Sequence, residues 1–138
     1  MANLGHEVKM LYTGLAVAKK LLDERPDVVK RFLRATAKGR EFYKRFKEES
    51  LRLAKKYDSN PDDARNADYD ITLELMTKDG TEDLATQKSD IEIGLRGLGM
   101  QKTVPVERVF DFRLITEAYR ELHASKWKPE LSQKRARN

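Results

Sequence analysis

The sequence predicts a mainly α protein of about five helices with a short β element near its start. Three observations lead there. A length of 138 residues suits one ordinary domain. Apolar residues make up 39% of the chain and charged residues 37%, which is apolar enough for a modest core. The apolar residues recur in steps of three and four along most of the chain, the spacing of one face of an α-helix.

The exception is the opening. "VKMLYTGLAV", residues 8–17, is rich in β-branched and aromatic residues and broken by Gly14, so it reads as a short strand or extended crossing segment. "AKKLLDER" reads as a short helix. Pro26 then restarts the chain, since proline suits the first helical turn, where its missing N–H has no partner anyway. Asp27 adds negative charge at the same positive helix end. From there Val28, Val29, Phe32, Leu33, Ala35, Thr36, Gly39, Phe42, Tyr43 and Phe46 trace one helical face. Gly39 on that face is expected to admit a closely packed neighbour.

"KEESLRLAKKYDSN" is a further amphipathic helix with Leu51, Leu53, Ala54 and Tyr57 as its apolar side. "SNPDD" stops it and starts the next. In "ARNADYDITLELMT" the apolar stripe is Ala64, Ala67, Ile71 and Leu75, with Tyr69, Leu73 and Met76 beside it. "KDGTED" is a turn. Residues 84–98 form another helix on the spacing Ile91, Leu95, Leu98, ended by Gly97 and Gly99. "MQKTVPVERVFDF" is an extended-looking loop, and "LITEAYREL" a last helix with Leu114, Ile115, Ala118, Tyr119 and Leu122 inward. Residues 1–126 are expected to be one helical domain and residues 127–138 a polar, basic tail. No repeat of 20 to 50 residues is present.

Several chemistries are excluded. There is no cysteine, hence no disulfide and no thiolate nucleophile or metal ligand. The two histidines, His6 and His123, are far apart in sequence, which argues against a histidine metal cluster. No nucleophile elbow, phosphate loop, zinc-protease helix or dinucleotide fingerprint occurs. "GLRGLG" sits at a helix end and reads as a cap. The carboxylates of "DYDITLE" and "SDIEIG" alternate with core residues on solvent faces. No enzyme and no cofactor is expected. No apolar run reaches the roughly 18 to 20 residues of a membrane span, and "MANLGHEVKM" lacks the basic-then-apolar order of a signal peptide.

Charge is unevenly placed. Net charge is +5, but residues 25–56 hold twelve Lys or Arg against four Asp or Glu, a local +8. Lys30, Arg31, Arg34, Lys38, Lys44 and Arg45 are the candidate basic face. A nucleic-acid stacking platform needs exposed rings beside positive charge, whereas Phe32, Phe42, Tyr43 and Phe46 lie on the apolar stripe. The helix is therefore expected to pack its rings and leave its charges in water. The competing reading is a small basic interaction protein whose cations grip nucleic acid or an acidic partner.

Taken in order, these features form a pattern. "TGLAVAKKLLDERPDVVKRFLRATAKGREF" resembles the back half of periplasmic solute-binding proteins of ABC importers, in the group for nitrate, sulfonates, taurine, bicarbonate and pyrimidine precursors of thiamine. Thr13 and Gly14 match that family's T-G step, and Pro26, Val29, Phe32, Leu33, Ala35 and Gly39 match its following helix. "LRGLGMQKTVPVERVFDFRLITEAYREL" resembles its closing segment at Gly97, Gly99, Pro105, Val106, Phe110 and Phe112. The resemblance covers about residues 8–125 and implies the C-terminal portion of a two-lobed α/β protein that binds a small anionic or pyrimidine-type solute without catalysis. It further implies a periplasmic or extracytoplasmic location, a permease partner, and a solute shared with a lobe that this sequence lacks. On the same ground Tyr12, Thr13 and Gly14 become the candidate ligand-binding residues. Left without that lobe, the chain is expected to expose apolar surface and to be open to homo-oligomerisation.

Overall fold

The computed structural model describes residue 11 and residues 13–131. Among them run six α-helices and one 3-10 turn: α1 (Lys19–Glu24), α2 (Pro26–Arg45), α3 (Lys47–Ala54), α4 (Asp62–Leu75), α5 (Leu84–Gly97), the turn Val106–Arg108, and α6 (Arg113–Ala124). The mainly helical expectation holds. No strand occurs among the described residues. Residues 13–18 are irregular and exposed, while residues 8–10 and Tyr12 lie outside the described residues. A strand needs a neighbour to satisfy its backbone groups, and no other described segment forms one.

Local signals place the helix ends. Pro26 occupies the first turn of α2 beside Asp27. A single non-helical residue, Phe46, separates α2 from α3, and its N–H still donates to the Phe42 carbonyl at 2.9 Å. Asp83 caps α5 by accepting from the Thr86 N–H at 2.9 Å, leaving one fewer orphan donor. Helix α5 ends in a Schellman motif: Met100 N–H donates to Leu95 carbonyl at 2.9 Å and Gly99 N–H to Arg96 carbonyl at 3.1 Å, with Gly99 at φ +65°. Helix α6 ends the same way, with Trp127 donating to Leu122 and Lys126 to His123. Here the left-handed position falls on Lys126, at φ +51°.

That second cap turns Trp127 back onto the core. Ala37 of α2 packs with Ile115, Tyr119 and Leu122 of α6, and Leu33, Phe112 and Trp127 close over the cluster. Among the described helices the pairing of α2 with α6 is the most extensive. Ala37 is 0% exposed, and a side chain that small lets two helices approach closely. Packing thus runs on to Trp127, where the sequence pattern predicts the start of the tail; residues 132–138 lie outside the described residues. Gly80 completes this region. At φ +78° it turns the chain after α4, and a β-carbon there would stand 3.2 Å from Ile115 Cγ1.

Helix α4 is joined to α2 through Tyr69, which is buried. Its hydroxyl donates to the Tyr43 carbonyl at 2.5 Å, and the two rings lie 4.5 Å apart. Buried Arg65, one turn earlier, donates to Asp58 Oδ1 at 2.7 Å and to Asp62 Oδ1 at 2.5 Å. These polar anchors rotate α4 so that Arg65 and Tyr69 face inward. The expected stripe of Ala64, Ala67 and Ile71 is therefore turned to solvent, with Leu75 half-buried. Helix α2 departs from its expected stripe too. Phe32 is 55% exposed, and the space around Gly39 is open: a β-carbon there would meet no atom within 4 Å. The inward face of α2 runs through Val29, Leu33 and Ala37, and its lower part is taken by half-buried Arg40 and Lys44.

Backbone geometry sets three expected outcomes in urea unfolding. Gly39→Ala raises stability by up to about 1 kcal/mol, because an exposed mid-helix glycine carries only an entropic cost. Lys126→Gly raises it by about 1 kcal/mol by removing the left-handed penalty. Gly80→Ala lowers it by about 1–2 kcal/mol, since both the backbone conformation and Ile115 oppose a β-carbon. A neutral Gly80→Ala would contradict the packing described.

Candidate functional site

Tyr12 lies outside the described residues, while Thr13 and Gly14 stand exposed on the segment leading into α1. A β-carbon on Gly14 would meet Leu11 Cδ2 at 3.0 Å, so glycine permits that local fold. The Leu11 N–H moors the segment by donating to both carboxylate oxygens of Asp90 on α5, at 2.9 and 3.1 Å. Thr13 and Gly14 line neither of two shallow open grooves. One, of about 430 Å³, runs between α5 and the loop before the 3-10 turn, floored by Leu84, Ile91, Leu95, Val104 and Val106. The other lies along the outer side of α6, between Phe112, Arg113, Thr116, Glu117 and Arg120.

The six cations of the candidate basic face do not act as one surface. Lys30 reaches across to α6 and contacts Glu117 Oε1 at 2.8 Å and Glu121 Oε1 at 2.7 Å. Arg34 joins them at 3.6 Å from Glu121 Oε2. Hydrogen bonding to Glu117 and then Glu121 raises the Lys30 pKa, and bonding to Lys30 lowers that of Glu121. Lys44 donates to the Lys78 carbonyl at 2.8 Å and to Glu41 Oε1 at 3.1 Å. Lys38 stands 5.2 Å over the Trp127 ring, and Arg45 lies 5.7 Å from that of Phe46. Arg31 reaches out to solvent, 3.5 Å from Asp27. Arg31 and Arg45 are thus the exposed members of the set without a tie to another helix, while half-buried Lys38 lies against Trp127.

Sequence reasoning missed a cation that joins α2, α6 and the turn after α4. Arg40 donates from Nε to the Tyr119 hydroxyl at 3.2 Å and from Nη2 to the Thr77 carbonyl at 2.6 Å. The Tyr119 hydroxyl in turn donates to Glu41 Oε1 at 3.4 Å. Burial raises the Tyr119 pKa, with Arg40 opposing. The available signal was its spacing: Arg40 lies three residues after Ala37 and seven after Leu33, on the inward stripe. Also missed was an acidic counterpart to the basic region. Residues 58–92 carry eleven Asp or Glu against three Lys or Arg, a net −8.

Among the described residues no group of His, Asp and Glu is placed to hold a metal ion. No helix among them is long and apolar enough to cross a membrane. Comparisons with known families, curated proteins and solved structures return no match.

Two outcomes follow from these contacts. Arg40→Ala leaves a carbonyl and a buried hydroxyl short of a partner, and is expected to cost about 1–3 kcal/mol in urea unfolding; Arg40→Lys recovers only part of it. The Lys30–Glu121 pair gives stability a pH window. The depressed Glu121 contributes above its ordinary 4.5 and loses that contribution as pH falls through its lower folded value. The elevated Lys30 contributes fully below 10.5 and loses it as pH rises through its higher folded value. Relative to the parent, Glu121→Gln is expected to lower Tm near neutrality and to converge with it in acid. A Tm difference that persists unchanged at about pH 3, below the ordinary carboxylate range, would assign the effect to packing.

Proposed function

We propose that this chain is a non-catalytic solute-binding portion of an ABC-type importer, for small anionic or pyrimidine-type solutes. Its scaffold would correspond to the C-terminal part of a two-lobed α/β binding protein. One observation carries the reading. Positions that match the family's helix, Phe32, Ala35 and Gly39, lie on an exposed side of α2. The matching step at Thr13 and Gly14 is exposed as well, followed by exposed Leu15, Val17 and Leu21. Matching residues that are apolar or small, yet face water, are what a helical layer leaves when the element that covers it belongs to another segment. The solute would sit where that segment meets Tyr12, Thr13 and Gly14. An extracytoplasmic location and a permease partner follow from the same reading.

Titration calorimetry with nitrate, bicarbonate, an alkylsulfonate and an aminopyrimidine tests it. The chain alone is expected to give no binding heat. Mixed with the first lobe of a binding protein from this group, it is expected to form a one-to-one complex that binds one solute class. Failure to pair with any such lobe, together with RNA binding that falls steeply with salt, would replace this reading with the basic interaction protein.

A further inference from the structure

Helix α4 leaves an apolar side outside the fold. Arg65 and Tyr69 face the body. The opposite side presents Ala64, Ala67 and Ile71 to solvent, with Ile71 43% exposed. At about 100° per residue these three share one strip. Asp63 borders it on one flank and Asp68 on the other, both exposed. A strip of small and aliphatic side chains between carboxylates suits close approach by a helix whose own open face is apolar, small and edged by cations.

Such a face exists on this chain. Phe32, Ala35 and Gly39 form the unpacked strip of α2, and the β-position of Gly39 meets no atom within 4 Å. Arg31 and Lys38 border it, Arg31 with its side chain 74% exposed and Lys38 half-buried with its ammonium 5.2 Å over the Trp127 ring. Phe32 supplies the bulk that the Ala64–Ala67 strip lacks, and Gly39 the space that Ile71 needs. Charge decides between pairings. Two α4 faces would set carboxylates against carboxylates, and two α2 faces cations against cations; only α2 against α4 opposes unlike charges. The same division appears in the whole chain, at +8 over residues 25–56 and −8 over residues 58–92.

We propose that the outer face of α4 docks on the open face of α2 in a second copy of this chain. Where both α2–α4 contacts form between the same two copies the assembly closes as a dimer; otherwise it grows head to tail. The inference uses the same α2 face as the solute-binding reading but does not rest on it, because it is argued from exposure and opposed charge and not from the resemblance. A first lobe and a second copy would compete for α2.

Light scattering after size exclusion, at about 50 mM and about 500 mM salt, tests the proposal. Association is expected at low salt and to weaken at high salt. Two charge-reversed variants separate the faces: Arg31→Glu with Lys38→Glu, and Asp63→Lys with Asp68→Lys. Each alone is expected to weaken association by about tenfold or more, with helicity unchanged by circular dichroism. Mixed together, they are expected to associate again, since each supplies the face the other opposes. A parent chain that stays monomeric at low salt overturns the proposal. So does an assembly indifferent to both reversals, or a mixture that fails to associate while both variants remain folded. Failure to pair with a first lobe would count only against the solute-binding reading.

Discussion

The close approach of α2 and α6 at Ala37 is the constraint on which the rest depends. Ala37 is fully buried against Ile115, Tyr119 and Leu122, where added bulk is expected to overpack the seam. Once the two helices are that near, Tyr119 brings its hydroxyl within reach of Arg40, and Arg40 reaches on to the Thr77 carbonyl. The turn after α4 is thereby held against the helix pair, with Gly80 seated at Ile115. On the far side Lys126 takes a left-handed conformation so that Trp127 can return to the cluster. A small core of four buried residues thus organises both the turn at residue 80 and the segment that returns to it at Trp127.

The same constraint explains why four cations of the basic helix are tied within the fold. Along α2, cations that face α6 or the 77–80 turn bind carboxylates and carbonyls of the fold: Lys30 and Arg34 to α6, Arg40 and Lys44 to the turn. An excess of positive charge in sequence therefore becomes, in three dimensions, a set of cross-links with a few outward cations left over.

What was legible in the sequence was local. Pro26 marks the start of α2, and Gly97 and Gly99 mark the end of α5, because each acts through backbone geometry within a turn of itself. The inward faces were not legible. Hydropathy ranks Ala64, Ala67 and Ile71 above Arg65 and Tyr69, yet the second pair is buried. What reverses the ranking is a hydrogen bond between residues 26 apart, Tyr69 to Tyr43, together with carboxylates that neutralise Arg65. Gly39 misled for a related reason: glycine permits close approach but does not require it. The short β element drew on the composition of residues 8–17, and composition cannot supply the neighbouring strand that a ladder needs.

The departures of α2 and α4 from simple periodicity share one cause. On both helices the sequence carries more apolar surface than a single buried stripe requires, and the fold buries one side of each. On α2 the surplus is Phe32, Ala35 and Gly39; on α4 it is Ala64, Ala67 and Ile71. Isolated exposed apolar residues are ordinary on a surface. Here they are arranged at helical spacing and edged by charge, positive on one helix and negative on the other. Solubility alone would be served by mixed charge along both helices. Separation of sign between two unpacked helical faces instead favours contacts that join unlike faces and disfavours those that join like ones.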